Sequence, residues 1–171
     1  MQKLDAAGNF LWGHAVGGTG NDVAYDVTVG ADGAVVLCGE FRNTVDFDPG
    51  PGVSSLSSGG IEDAFVQKLL ADGSHVWAHR FGSTGSERAR SVVVASDGAV
   101  SFTGRITSIT DFDPGPGVFE LPGANTEDAF VAQLTGSGDF AWAFRLATFL
   151  NEGLALAVDG DDNLYSTGSF G

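Results

Sequence analysis

Ser91-Val92-Val93-Val94-Ala95-Ser96-Asp97-Gly98-Ala99-Val100-Ser101-Phe102-Thr103-Gly104 reads as two strands and a turn. Ser91 to Ala95 is an almost unbroken β-branched run, the pattern of a strand buried on both faces. Asp97-Gly98 predicts a two-residue hairpin turn, because Gly tolerates the positive φ that such turns require. Ala99 to Ile106 returns as a second strand. Upstream, Ile61 to Leu70 and His75 to Phe81 read as a third and a fourth, joined by Ala71-Asp72-Gly73-Ser74. Gly82-Ser83-Thr84-Gly85-Ser86 then leads into the run at Ser91.

The pattern recurs along the chain. Trp12, Trp77 and Trp142 stand 65 residues apart. The same offset carries Asp46-Phe47-Asp48-Pro49-Gly50-Pro51-Gly52-Val53 onto Asp111-Phe112-Asp113-Pro114-Gly115-Pro116-Gly117-Val118. It also carries Glu62-Asp63-Ala64-Phe65-Val66 onto Glu127-Asp128-Ala129-Phe130-Val131. Roughly half of the aligned positions in the first two copies are identical, far above chance for a structural repeat. In the third copy one residue is missing near Glu152-Gly153, after which Thr167-Gly168 realigns with Thr103-Gly104. Four antiparallel strands per repeat, the first of them the most apolar, is how a β-propeller blade is built. The expected fold is therefore all-β: a partial β-propeller of four-stranded antiparallel blades, about 2.65 repeats of 65 residues.

The Asp-Ala-Phe-Val-x-x-Leu strand, the Gly-x-x-x-Trp-Ala strand and the Val-Val-x-x-Asp-Gly hairpin ending in Thr-Gly resemble the bacterial β-propeller repeat family often called SBBP. The Asp-Phe-Asp-Pro-Gly-Pro-Gly insert is similar to a variant found in large bacterial surface proteins. The resemblance covers essentially the whole chain. It implies a propeller fold and an extracellular or cell-surface location, and it implies no defined activity.

The repeat divides the chain into residues 1–16, the last two strands of a blade; 23–81 and 89–146, two full blades; and 154–171, the first two strands of another. Closing these pieces on themselves makes a three-bladed ring, whereas closed propellers have 4 to 8 blades. Terminal repeats are normally altered to protect their exposed faces, and Met1 and Gly171 lie in unaltered ones. The expectation is a piece of a longer propeller, completed by further blades or by self-association.

Composition narrows the partners. There are 22 acidic and 8 basic residues, for a net charge of −14, which repels phosphate backbones and anionic membranes and attracts cations. Nucleic acid is excluded as a partner, and no apolar run is long enough to insert in a membrane. The 26 Gly, spread between apolar runs, mark turns rather than disorder. No basic and apolar leader precedes the first strand. The lone Cys38 forms no internal disulfide.

The strongest candidate site is the acidic insert. Asp46 and Asp48 share one face of an extended segment, with Phe47 on the other, and Asp111 and Asp113 repeat the arrangement. Hard oxygen ligands on a rigid Pro-Gly turn suit Ca²⁺. The competing reading is that these aspartates cap the turn through their own backbone. It leads, because two carboxylates fall short of the six to eight ligands Ca²⁺ takes. Gly17-Gly18-Thr19-Gly20-Asn21-Asp22 matches a Ca²⁺-binding nonapeptide superficially, but it occurs once and reads as a linker between blades. The three Trp read as packing between blades rather than as glycan platforms. His14 and His79 share a position that Phe144 fills in the third copy, so packing rather than proton transfer is expected there. Cys38, equivalent to Thr103 and Thr167, reads as a small buried strand residue.

No nucleophile, base and orienting acid come together in this reading, and no polar cluster sets one blade apart. The expected function is a non-catalytic structural or interaction module of a secreted or cell-surface bacterial protein, with a protein or glycan ligand. The alternative is a piece of a propeller hydrolase or lyase whose active site lies in blades outside this chain.

Overall fold

The computed structural model describes residues 1–123, 127–146 and 150–170, without the side chains of Leu150 and Phe170; the expected end of the last piece, Gly171, lies outside the described residues. Among the described residues every regular element is a strand. In chain order these are β1 (Gln2–Leu4), β2 (Phe10–Gly13), β3 (Val23–Val29), β4 (Val35–Phe41), β5 (Thr44–Asp46), β6 (Ser55–Ser57), β7 (Asp63–Leu69) and β8 (His75–Phe81). There follow β9 (Arg88–Val94), β10 (Val100–Ile106), β11 (Thr110–Asp111), β12 (Glu120–Leu121), β13 (Asp128–Leu134), β14 (Phe140–Arg145), β15 (Leu150–Val158) and β16 (Leu164–Phe170).

Two antiparallel meanders, β3-β4-β7-β8 and β9-β10-β13-β14, form the four-stranded sheets, and β1-β2 and β15-β16 are separate two-stranded ones. The inserts are small hairpins, β5-β6 and β11-β12, between the second and third strands of each meander. A meander sends alternate connections to opposite ends. The inserts and the linkers between sheets therefore lie at one end, and the tight hairpins at the other.

The hairpins differ from the expected two-residue turn. Ala95 N–H donates to Ala99 O at 2.9 Å, Gly98 N–H donates to Ala95 O at 3.0 Å, and Gly98 sits at φ +87°. This is a type I turn followed by a left-handed residue, a three-residue loop. Asp97 Oδ1 selects it by accepting Ala99 N–H at 2.9 Å, an Asx cap that a two-residue loop has no room for. Five further hairpins share the closure, and in the last, at Asp159–Asn163, Asp162 takes the left-handed position at φ +61°.

A second correction concerns burial. The doubly buried strands are the second and third of each four-stranded sheet, not the β-branched first: β4 is buried along its whole length, β7 and β10 nearly so, and β9 only in part. The sheet order explains it. β9 is an edge strand, while β10 lies between β9 and β13 and is covered on its faces by neighbouring units. Side chains alternate along β4, so Val36 and Cys38 join Val92, Phe102 and Phe130 of the next sheet in one core. Val35, Leu37 and Phe41 face the other way and pack with Phe65, Trp12 and Val16. No sheet hides both faces alone; each relies on its neighbours.

The glycine late in each second strand, after Cys38, Thr103 and Thr167, also finds its reason here. Gly39, Gly104 and Gly168 face Ala24, Ala89 and Gly153 where the first strand shifts register. A Cβ on Gly39 would overlap the Val23 carbonyl oxygen, and one on Gly104 that of Arg88.

Repeat-equivalent Val16 and Phe81 differ in what they fill. Phe81 is buried against Phe102 at 4.8 Å and Phe112 at 5.7 Å between ring centroids. Beside Val16 a cavity of about 70 Å³ remains, walled by Leu37, Phe41, Phe47, Phe65 and Leu69. Val16→Phe is expected to stabilise the chain by about 1 kcal/mol by burying apolar area without moving the backbone. Urea unfolding reads it as a higher midpoint, and an unchanged or lower one shows that the space does not take the ring.

Candidate functional site

The inserts are rooted by their phenylalanines. Phe47 packs 5.0 Å from Phe65, and Phe112 packs 4.8 Å from Phe130. Gln67 Nε2 also donates to Phe47 O at 2.5 Å. The flanking aspartates work on the backbone. Asp46 Oδ1 accepts Asp48 N–H at 3.0 Å and Ser54 N–H at 2.8 Å, and Asp48 Oδ1 accepts Gly50 N–H at 2.7 Å. Asp111 Oδ1 accepts Asp113 N–H at 3.0 Å and Phe119 N–H at 2.8 Å, and Asp113 Oδ1 accepts Gly115 N–H at 2.8 Å. The Ser54 and Asp48 amides hold the Asp46 carboxyl below its ordinary value. The two pairs of aspartates lie on separate inserts, and among the described residues no group of three or more His, Cys, Asp or Glu is arranged to hold a metal. On these stems the tips present Val53 and Val118, 78% and 72% exposed.

The linkers lie at the same end. Asp22 ties Gly17–Asp22 down: its Oδ2 accepts Gly18 N–H at 2.7 Å and its Oδ1 accepts Arg42 N–H at 3.0 Å. Glu87, its repeat equivalent, is fully buried and accepts Ser108 Oγ–H at 2.9 Å.

The opposite end carries a clasp between units. Trp12 Nε1–H and Lys3 Nζ–H donate to Ala71 O at 3.2 and 2.9 Å. One repeat on, Trp77 Nε1–H and Lys68 Nζ–H donate to Gly136 O at 3.4 and 3.1 Å. His79 stacks on Trp77 at 5.0 Å, and burial lowers its pKa, so the neutral ring is the one packed there. Cys38 is buried with its thiol at 3.5 Å from Ala89 O, and burial pushes its pKa up.

Sequence reasoning missed a polar cluster where the first strands meet. Arg88 of β9 contacts Glu40 of β4 at 3.1 Å and Glu62 at 3.5 Å, the first a charge contact misaligned for a hydrogen bond. Glu62 also receives Arg42 Nη2–H at 2.7 Å and Ser86 Oγ–H at 2.8 Å. At the next junction Arg90 donates to Glu152 at 2.7 Å, lies 4.2 Å over the Tyr25 ring, and Arg105 pairs with Glu127. Burial, then the Glu40 carboxylate, raises the Tyr25 pKa. The missed signal was charge reversal at repeat-equivalent positions. Register aligns Glu40, Arg105 and Ser169 with one another, and Val23, Arg88 and Glu152 likewise. Successive junctions thus carry opposite polarity, which disfavours pairing near-identical units in the wrong order.

No family model matches the sequence. The chain is similar to an uncharacterized WD repeat-containing protein of Acanthamoeba polyphaga mimivirus, 24% identical over 196 residues that span 99% of this chain and 14% of that relative. Antiparallel four-stranded sheets, packed face to face with first strands side by side, agree with such a relative on one architecture. The chain is an arc of a β-propeller. In this propeller the insert end and the hairpin end are the two rims, and β3, β9 and β15 are the innermost strands. Among the described residues no helix is long and apolar enough to cross a membrane.

Proposed function

We propose that this propeller arc is a non-catalytic structural or interaction module of a secreted or cell-surface bacterial repeat protein of the SBBP type, taking a protein or glycan ligand. The observation that carries the reading is the pair of inserts: two preformed tips on one rim, a repeat apart, with exposed valines on turns that their own aspartates hold. Preorganised loops lose little entropy on binding, and a repeated pair invites a bivalent ligand. The junction cluster supports the same reading, because its carboxylates are already matched by guanidinium groups. The repeat motifs support the surface location. The relative's WD repeats support a role in protein–protein contact.

Protein and glycan arrays probed with the native chain and with Val53→Asp/Val118→Asp test it. A ligand held by the native chain and lost by the double variant is expected; no ligand, or equal binding by both, rejects the tips as the contact.

Of the two readings of Asp46, Asp48, Asp111 and Asp113, turn capping leads, and Ca²⁺ would have only the carboxylate oxygens that the turn amides leave over. Because one oxygen of each already serves the turn, superimposable melts in EGTA and in millimolar Ca²⁺ are expected. A ligand of the folded state raises Tm, so a clear rise in Ca²⁺ that Asp48→Asn/Asp113→Asn removes would favour the ion instead.

A further inference from the structure

We propose that the seam between β1-β2 and the first complete blade binds a small uncharged molecule, apolar in body, that donates one hydrogen bond to Gln67. Three repeat positions differ between this seam and the next, and they meet at one place. Phe81, Phe102 and Ala132, at the seam between the complete blades, correspond to Val16, Leu37 and Gln67. Between the complete blades the two rings close the space, their centroids 4.8 Å apart. One seam earlier both rings are lost and an amide is gained. What remains is the cavity of about 70 Å³, walled also by Phe47, Phe65 and Leu69. These differences lie within the repeats and hold whatever polypeptide precedes Met1.

Gln67 supplies the chemistry. Its side chain is fully buried and lines the cavity. Nε2 donates to Phe47 O at 2.5 Å; a carbonyl only accepts, so the amide nitrogen faces it and Oε1 is turned away. Oε1 is buried and accepts no hydrogen bond from the described residues. An amide oxygen taken from water without a donor costs stability. A void left by packing alone would be apolar and dry. An acceptor standing where the next blade has Ala132 calls for a donor instead.

Size and charge narrow the class. On the scale where about 150 Å³ takes the six carbons of benzene, this cavity takes about three or four non-hydrogen atoms. The other polar side chains on its wall are engaged. Asp22 accepts Gly18 N–H at 2.7 Å and Arg42 N–H at 3.0 Å, and His14 packs 5.1 Å from Trp12. A charged ligand would give up its water among phenyl rings, beside a carboxylate that backbone amides already hold. A neutral O–H or N–H donor meets no such cost.

Three probes of one shape test it: 2-propanol, which donates; acetone, which only accepts; and isopropylammonium, which donates but carries a charge. Methyl NMR of the 171-residue chain is expected to show saturable shifts at Val16, Leu37 and Leu69 with 2-propanol, at a Kd of about 1 mM. Acetone should bind about tenfold more weakly, and isopropylammonium should not bind. Val16→Phe restores the ring of the next seam and should abolish the shifts at Leu37 and Leu69. Gln67→Met keeps the length and the space but removes the amide oxygen, so 2-propanol should bind it no more tightly than acetone does. That second readout stands even where Val16→Phe fails to pack. No saturable shift in the native chain overturns the proposal and leaves the cavity to water. Equal affinity for 2-propanol and acetone overturns the role of Gln67, and tighter binding of isopropylammonium overturns the uncharged class. Shifts that survive Val16→Phe in a folded variant overturn the location. The insert tips are probed with other ligands, so this site and the rim reading fail separately.

Discussion

Arg88→Met is expected to destabilise the folded chain by about 3–5 kcal/mol, the cost of leaving buried carboxylates without their counter-charge. Arg88 faces Glu40 and Glu62, which are 5% and 6% exposed, at the seam between the two complete blades. Glu62 keeps Arg42, so most of the loss falls on Glu40. Adding Glu40→Gln to Arg88→Met should recover most of the stability, because the orphan charge is then gone while the packing of the stem remains. Urea midpoints of the two variants decide it. Equal destabilisation in both would mean that the loss does not come from an orphaned Glu40 charge.

Phe112→Ala is expected to cost a similar amount, about 3–5 kcal/mol, for a fully buried ring in a core that cannot close around the loss. Phe112 lies 5.7 Å from Phe81 of the preceding blade and 4.8 Å from Phe130 of its own, so its removal opens the seam and unroots the insert together. Asp111→Ala, which removes only the cap on Asp113 and Phe119 amides, should cost about 1 kcal/mol. Chemical denaturation separates the two. Similar losses would assign the insert's rigidity to the aspartate instead of the ring.

Both predictions concern the seam between blades, where sequence reading was weakest. The strand positions were legible because alternation and turn chemistry are local: Asp97 and Gly98 mark their own turn, although its loop has three residues where two were expected. The inward Phe47 and outward Asp46 were legible for the same reason, since a strand sends successive side chains to opposite faces. The partners of Trp12, Lys3 and Arg88 were not. Trp12 bonds a carbonyl 59 residues away and Lys3 one 68 away, separations at which spacing alone gives no geometry. The β-branched run at Val92 misled for a related reason: burial depends on which strand lies at the sheet edge, and composition does not report that.

Repetition by itself determined that this chain forms small twisted sheets with two apolar faces each, for the period and the side-chain alternation leave no other way to bury those residues. Only the tertiary structure decided what sits in the seams: which strands are sheltered, which arginine meets which glutamate, and which carbonyl each indole reaches. Those outcomes arise from contacts between units, where long-range approach and the desolvation of charge set the energies.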